Sequence, residues 1–135
     1  MNVIPYLHFS GQCEEAFNLY ATVLRGKASF FRYAGSPMEK MAPDGWGGKV
    51  MHASLEFAGH RLYGSDVTPQ YFQTPQGFGV CIEAADVAEG ERIYNGLSEG
   101  GKIKMPYQET FWAHRYGDFT DRFGISWIVN VPKPM

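Results

Sequence analysis

The chain has 135 residues, a formal net charge of −2, 44% hydrophobic residues and 19% charged residues. This length predicts one domain with a buried core, and the composition excludes an intrinsically disordered chain. The near-neutral charge excludes the basic surface with which proteins bind nucleic acids or anionic membranes. Since no window approaches the ~18 consecutive apolar residues of a transmembrane helix, we also expect no membrane-spanning segment.

The two cysteines, Cys13 and Cys81, show neither a CxxC pair nor the spacing of a zinc site. The first residues, MNVIPYLHF, lack the basic region and the long apolar run of a secretory signal. Unpaired thiols without such a signal are typical of a reducing compartment. The sequence therefore predicts a cytoplasmic protein.

The first half of the chain predicts one strand, one helix and three further strands. Apolar residues recur at three- and four-residue spacings from Cys13 to Leu24, which indicates a helix, and Gly26 suits its C-terminal end. Strands are predicted over residues 3–9, 27–33, 50–57 and 61–65. The Gly- and Pro-rich loop over residues 34–49 is long for a compact domain, so we expect a mobile lid or binding loop.

The same order of elements returns after a polar linker over residues 66–76. The predicted elements are a strand over 77–84, a helix over 87–97, a strand over 102–105 and a hairpin over 106–131. Asp86 is a candidate N-cap of the helix, and the hairpin turn is predicted from Asp121 to Gly124.

The final hairpin, PYQETFWAHRYGDFTDRFGISWIVNV, has aromatic residues on both faces of its strands. Alternation places on one face Trp112, His114, Tyr116 and Asp118. Phe111 and Trp127 are expected in the core. Because a strand pair with aromatics on both sides is covered on both sides, we expect a helix on one side and a small-molecule cavity on the other.

An internal repeat supports the restarted order of elements. Three identities recur at a constant shift, in that Glu15, Tyr20 and Gly26 match Glu89, Tyr94 and Gly100. Each half alone cannot bury both faces of its small sheet. The predicted fold class is α+β, with two tandem βαβββ modules over about residues 1–67 and 77–135 of a single domain, 1–135. We expect the modules to form a cupped eight-stranded mixed sheet with the helices outside.

Three segments resemble the PhnB-like branch of the vicinal oxygen chelate superfamily, namely PYLHFSGQCEEAFNLYATVLRG, MHASLEFAGHRLYGSD and FWAHRYGDFTDRFGISWIVN. The pattern RYG-x-x-x-D-x-FG in the last segment is the most specific part. That superfamily includes glyoxalases, extradiol dioxygenases and bleomycin-resistance proteins. The resemblance covers essentially the whole chain and implies paired βαβββ modules and a homodimer. It implies no single activity, because this fold hosts several chemistries.

Metal enzymes of this superfamily take one His or Glu ligand from each of four strands. The resemblance places these ligand positions at Pro5, Tyr63, Gly79 and Ile128. Pro, Gly and Ile side chains do not bind metals, and Tyr is a poor ligand for such a divalent site. We therefore predict no metal and no other cofactor. An alternative metal site would use His8, His52, Asp66 or Glu83.

The residues expected to line a ligand cavity are Tyr63, Glu83, Trp112, His114 and Tyr116. A buried Glu83 would have a raised pKa and could act as a base, whereas in water it is an ordinary strand-end carboxylate. His114 is equally compatible with the cavity and with the surface. Cys81 is expected to be an unreactive thiol, because no base is identified beside it.

These features predict a metal-free small-molecule-binding protein whose ligand the sequence does not name. Two alternatives stay open, a metal-dependent lyase or dioxygenase with a non-standard site and a drug-sequestering resistance protein with stacking aromatics. Members of the PhnB-like branch are sometimes labelled demethylubiquinone methyltransferases. Such an enzyme needs a glycine-rich turn that opens a helix, whereas the glycine cluster from Asp44 to Gly48 lies between two predicted strands.

Overall fold

The computed structural model describes residues 1–134 as two compact units, Met1–Gln73 (unit 1) and the chain from Thr74 onward (unit 2). Unit 1 contains β1 (Tyr6–Phe9), α1 (Cys13–Leu24), β2 (Lys27–Arg32), β3 (Val50–Phe57) and β4 (His60–Asp66). Unit 2 contains β5 (Val80–Glu83), α2 (Val87–Ser98), β6 (Lys102–Gln108), β7 (Ala113–Thr120) and β8 (Ser126–Pro132). The predicted α+β class with two tandem βαβββ modules is confirmed.

Each unit folds its four strands into one mixed sheet, and the two sheets have the same topology. The strand orders are β1-β4-β3-β2 and β5-β8-β7-β6. The first strand of each unit pairs in parallel with the last, and the other neighbours are antiparallel. The register places Tyr6 opposite Tyr63 in unit 1 and Cys81 opposite Ile128 in unit 2.

Helix α1 covers one face of the unit 1 sheet. Its apolar stripe, which includes Phe17 and Tyr20, is buried together with Leu7 and Leu55 of the strands. This amphipathic pattern follows the predicted helical spacing, and burial of the stripe supplies the main stabilisation of the helix in water.

The Asp66 carboxylate holds the start of α1 against the sheet. Its Oδ1 accepts hydrogen bonds from the backbone N–H groups of Gly11 and Cys13, each at 2.9 Å. Its Oδ2 accepts a hydrogen bond from the Val50 N–H, also at 2.9 Å. Asp66 is only 1% exposed. A carboxylate buried among three N–H donors is satisfied without a cation, and it joins segments that are distant in sequence.

The end of α1 differs from the prediction in one detail. Arg25, rather than Gly26, adopts the left-handed conformation, with a φ of 56°. The Gly26 N–H donates to the Ala21 carbonyl at 2.9 Å. A Cβ atom at Gly26 would collide with the Glu56 carbonyl oxygen, so the glycine is needed for close packing of the helix end on β3.

Helix α2 covers one face of the unit 2 sheet, and Asp86 is its N-cap as predicted. The Asp86 Oδ1 accepts a hydrogen bond from the Glu89 N–H at 2.8 Å. Behind the helix, Trp127 is fully buried, which confirms its predicted place in the core. Large side chains on the helix side of β8 therefore carry the core of this unit.

The hairpin turn between β7 and β8 is built around a second buried carboxylate, Asp121. Its Oδ1 accepts hydrogen bonds from the N–H groups of Phe123 and Ile125, at 2.9 and 3.0 Å. Its Oδ2 accepts the indole N–H of Trp127 at 2.8 Å. Gly124 has a φ of 94°, which confirms the predicted turn with glycine at its last position.

Some boundaries and one core assignment differ from the sequence prediction. Strand β5 begins at Val80 rather than at residue 77, and β6 extends to Gln108. Phe111 lies before β7 and is 90% exposed, so its predicted place in the core is wrong. Because Phe111 lies outside the strand, the strand alternation that assigned it to a face does not apply to it.

The loop over residues 34–49 is closed at its base by backbone hydrogen bonds. The Tyr33 N–H donates to the Lys49 carbonyl at 3.1 Å, and the Ala34 N–H donates to the Gly47 carbonyl at 2.9 Å. A short 3-10 turn, Glu39–Met41, lies within it. The mobility of this loop stays a prediction. Within residues 1–134, neither helix has the length and apolar character that crossing a membrane requires.

Candidate functional site

Within its own unit, each sheet has a helix over one face only, and we call the opposite surfaces open face 1 and open face 2. Open face 1 is defined by Tyr6, His8, His52 and Tyr63. Open face 2 is defined by Cys81, Glu83, Tyr116, Asp118, Ile128 and Asn130. The alternate strand residues, such as Leu7 and Trp127, are buried on the helix side. Strand alternation thus separates a packing side from a side that a ligand could contact.

Ring side chains from three strands meet on open face 1. The Tyr6 hydroxyl and the His52 Nδ1 share a hydrogen bond of 3.1 Å. The ring centroids of His52 and Tyr63 are 4.9 Å apart, and those of Tyr6 and His8 are 5.4 Å apart, both edge to face. These contacts fix the ring orientations while polar tips stay near the surface. The cluster can therefore pack on a planar ligand and exchange hydrogen bonds with it.

The residues of the alternative metal site do not come together. His8 and His52 lie on open face 1, whereas the Asp66 carboxylate is engaged at the start of α1 and Glu83 is on open face 2. In the part of the chain that the structure describes, no group of three or more His, Cys, Asp or Glu side chains is arranged to hold a metal ion.

Two of the ligand positions inferred from the family resemblance need correction. Pro5 and Gly79 precede β1 and β5, so neither lies within a strand. The residue opposite Tyr63 is Tyr6, and the residue opposite Ile128 is Cys81. Of these four side chains, only the Cys81 thiol is a common ligand of divalent transition metals.

Open face 2 consists of two cross-strand rows on β5, β8 and β7. One row is Cys81, Ile128 and Asp118, and the next is Glu83, Asn130 and Tyr116. Since neighbouring strands are about 4.8 Å apart, adjacent side chains within a row can contact each other. The Trp112 ring, just before β7, lies 5.4 Å from the Tyr116 ring in an edge-to-face arrangement.

Burial and nearby negative charge raise the pKa of two side chains of open face 2, Tyr116 and Cys81. Burial raises the pKa of the Tyr116 hydroxyl, and the Asp118 carboxylate and Cys81 raise it further. Burial also raises the pKa of the Cys81 thiol, and the Glu83 carboxylate adds to that effect. Both groups are therefore neutral at pH 7, and Cys81 is a thiol rather than a nucleophilic thiolate.

The five residues predicted to line a ligand site divide among three places. Glu83 and Tyr116 share a row, and Trp112 contacts Tyr116. Tyr63 belongs to open face 1. His114 is exposed beside a β-bulge that shifts the register of β7 against β8, and it belongs to neither row of open face 2.

Sequence reasoning did not select Tyr6, Asp118 or Asn130 as site residues. Tyr6 was missed because a strand position shifted by one residue turns the side chain to the opposite face. Alternation alone placed Asp118 with Tyr116, but an isolated carboxylate on a strand is typical of a solvated surface. The Asn130 Oδ1 atom is buried, and no hydrogen-bond partner for it occurs among the described residues. No sequence signal indicates such an atom.

A separate cavity of about 320 Å³ lies in unit 1, between the end of α1 and the turn that joins β3 to β4. Its lining includes the cationic side chains Arg25, Lys27 and Arg61, and Arg61 pairs with Glu56 at 3.4 Å. None of the predicted site residues lines this cavity. We therefore treat the two open faces as the candidate site.

Known proteins show extensive similarity to this chain. A family model described as 3-demethylubiquinone-9 3-methyltransferase matches residues 1–130. The Escherichia coli K12 protein YjdN is 34% identical over 143 residues, which cover 98% of this chain and 97% of YjdN.

Solved structures show the same similarity in three dimensions. Protein PA1353 from Pseudomonas aeruginosa is 38% identical with a TM-score of 0.89, and the match covers 99% of each chain. A Bacillus cereus PhnB protein, described as a putative 3-demethylubiquinone-9 3-methyltransferase, is 24% identical with a TM-score of 0.80 over 97% of this chain and 99% of its own. A member of the glyoxalase/bleomycin resistance protein/dioxygenase superfamily from Sphaerobacter thermophilus shares the fold, at 14% identity and a TM-score of 0.59 over 97% and 98% of the chains.

Proposed function

The chain belongs to the family described as 3-demethylubiquinone-9 3-methyltransferase, a PhnB-like group with the glyoxalase/bleomycin-resistance/dioxygenase fold, and from this premise we propose that it is a metal-free small-molecule-binding protein. The resemblance inferred from the sequence is thereby confirmed. Because the fold hosts several chemistries, the proposal depends on the side chains of the two open faces.

The family description implies a methyl donor, and the residues present do not fit one. A methyltransferase of the usual kind receives its methionine-derived cofactor at a glycine-rich turn that opens a helix. The start of α1 is occupied by the Asp66 carboxylate, and that of α2 by Asp86. The glycine cluster from Asp44 to Gly48 lies between β2 and β3 and opens no helix. We therefore include no methyl transfer in the proposed function.

The observation that carries the proposal is the set of aromatic side chains left uncovered on open face 1 and beside open face 2. Tyr6 is 42% exposed and Trp112 is 41% exposed, although each ring contacts another aromatic ring. Grouped, exposed aromatics of this kind are typical of surfaces that bind ligands. Polar atoms of His52 and Glu83 lie on the same faces, which favours a planar molecule that also carries hydrogen-bonding groups.

We assign ligand contacts to Tyr63 on open face 1, to Glu83 and Tyr116 on open face 2, and to Trp112, whose ring contacts Tyr116. His114 is placed at the rim, because it is exposed beside the β-bulge. A drug-sequestering role is one form of the same binding function, in which the planar molecule is an antibiotic. A metal-dependent lyase or dioxygenase has less support, since Tyr6, Tyr63 and Ile128 are not metal ligands of the usual kind.

A homodimer and a cytoplasmic location complete the proposal. Both thiols, Cys13 and Cys81, are free, which suits a reducing compartment. Exposed apolar side chains, among them Phe31 and Met41, offer area that a second copy could cover. Light scattering coupled to gel filtration measures the mass directly, and a mass of one chain across micromolar concentrations would reject the dimer.

The binding function is tested with a library of planar aromatic compounds and two matched variants. Thermal shift and tryptophan fluorescence identify compounds that bind the native protein. Trp112→Ala is expected to weaken binding by about tenfold or more, as loss of an aromatic anchor does. Tyr71→Ala, which removes an exposed aromatic in the linker, is the control and is expected to bind normally. The proposal fails if no compound binds, or if both variants bind as tightly as the natural chain.

A further inference from the structure

Open face 2 carries two carboxylates, Glu83 and Asp118, together with the aromatic ring of Tyr116. Glu83 and Asp118 lie on opposite sides of β8, at the β5 and β7 ends of the two rows. With strands about 4.8 Å apart and the two rows offset by two residues, or about 7 Å along the strand, their backbones are separated by about 12 Å, a span that the two side chains and one small molecule can bridge. Both rows share the face of Tyr116.

Neither carboxylate takes part in the ion pairs Arg32–Glu14, Arg61–Glu56 and Lys133–Glu109, which lie away from open face 2. Two cationic side chains of this unit form other contacts. Lys104 of β6 donates to the Ser126 hydroxyl at 3.3 Å, and because Ser126 shares the face of Ile128 and Asn130, this ammonium reaches open face 2 beside the two rows. Arg115 of β7 donates to the His114 carbonyl.

Asn130 adds an acceptor that lacks a donor. It lies between Glu83 and Tyr116 in the second row. Its Oδ1 is buried and has no hydrogen-bond partner in the described chain. A buried acceptor without a donor is unfavourable, and a ligand N–H group at this place would remove the cost.

The aromatic rings suit the same kind of ligand. Tyr116 lies in the same row as Glu83, the Trp112 ring meets it edge to face, and ring faces attract organic cations. Burial and Asp118 keep Tyr116 in its neutral hydroxyl form, so Tyr116 adds no charge to the carboxylates of Glu83 and Asp118 or to the Lys104 ammonium at Ser126. Open face 1 has a ring cluster of its own, but no carboxylate belongs to that cluster.

Building on the proposed binding function, we propose that open face 2 selects organic cations, specifically planar aromatic molecules that carry a protonated amine or amidine. The ring of the ligand packs against Trp112 and Tyr116. Its charged nitrogen donates to Glu83 or Asp118, and a second N–H donates to the Asn130 Oδ1. Selectivity comes from the two carboxylates, and the aromatic contacts supply affinity that does not depend on ligand charge.

The test uses three indole compounds that share a ring and differ in charge. Their side chains are ethylammonium, hydroxyethyl and acetate, and binding to the full chain is measured by isothermal titration calorimetry at low salt. The cation is expected to bind at least about tenfold more tightly than the neutral compound, and the anion more weakly than both. Raising the salt concentration is expected to reduce the advantage of the cation.

Two variants and one control locate the effect. Glu83→Gln with Asp118→Asn is expected to abolish the advantage of the cation while binding of the neutral compound is unchanged. Glu91→Gln removes an exposed carboxylate of α2 in the same unit and is expected to change neither. Thermal melts confirm that all variants are folded, and Glu83→Gln alone serves if the double variant is not.

The outcomes separate this inference from the proposed function. Equal binding of the three compounds, or preference for the anion, overturns the selection of cations but leaves a binding protein. Retention of the cation preference in the double variant overturns the assignment to open face 2. If none of the three compounds binds, the inference is rejected, and the library screen alone decides on the binding function.

Discussion

Units 1 and 2 have the same strand order and the same helix position, but their open faces carry different chemistry. On the helix side, both units bury large apolar residues, such as Leu62 in one and Trp127 in the other. On the open side, Tyr6 opposite Tyr63 in unit 1 contrasts with Cys81 opposite Ile128 in unit 2. Core packing constrains the helix side tightly, whereas the open side is free to differ. The difference therefore indicates where function, rather than the fold, sets the sequence.

The largest expected effect is a difference in stability between two tryptophan variants of the final hairpin. Trp127→Ala is expected to lower the free energy of unfolding by about 3–5 kcal/mol, because it leaves a cavity and removes the indole N–H that donates to the Asp121 Oδ2. Trp112→Ala, at a 41% exposed position, is expected to cost less than about 1.5 kcal/mol. Urea unfolding followed by circular dichroism measures both. Equal losses in the two variants would show that Trp112 belongs to the core.

A slightly smaller effect is expected for the buried carboxylate of unit 1. Asp66→Ala removes the acceptor for the N–H groups of Gly11, Cys13 and Val50, which should cost on the order of 3 kcal/mol. Asp44→Ala in the exposed loop is the control and should change stability by less than about 0.5 kcal/mol. The same urea titration measures the difference, and equal stability of the two variants would contradict the role of Asp66.

The buried thiol of Cys13 should be less reactive than the exposed thiol of Cys81 on open face 2. Cys13 is buried. Its burial, and to a smaller extent the negative charge of Asp66, raises the pKa of its thiol far above the ordinary range, so it should not react with iodoacetamide in the native protein. Cys81 is exposed and should react, but more slowly at pH 7.5 than a free cysteine because its pKa is raised.

The rate of Cys81 alkylation should rise with pH as the thiolate forms. Glu83→Gln removes a negative charge that raises the Cys81 pKa, so it should speed alkylation at pH 7.5 by about two- to fivefold. Mass spectrometry after timed quenching measures both cysteines. Unchanged Cys81 kinetics in this variant would show that Glu83 does not act on open face 2.

The smallest effect is expected on metal removal. Dialysis against a chelator should leave the melting temperature and ligand affinity unchanged, because the residues opposite each other on β1 and β4 and on β5 and β8 do not form a metal-ligand set. Elemental analysis is the check, and about one metal ion per chain after dialysis would contradict the metal-free proposal.

The sequence predicted the elements well and the site less well, for a physical reason. Apolar periodicity reflects burial against a helix, so α1, α2 and the core place of Trp127 were evident. The open faces depend on which strands pair and in what register, and neither the parallel pairing of β1 with β4 nor a β-bulge beside His114 appears in local sequence. A shift of one residue therefore assigned Pro5 where Tyr6 belongs.

The parallel pairing of first and last strands has a consequence for synthesis on the ribosome. β1 is made first, but its one neighbour in the sheet is β4, the last strand of the unit, and β5 depends on β8 in the same way. In a nascent chain, β1 or β5 therefore has no strand to pair with until its unit is nearly complete. Pairing strands that are so far apart in sequence is entropically costly, which makes assembly slow. Interrupted translation within either unit should yield fragments that expose β1 or β5 to chaperones and proteases.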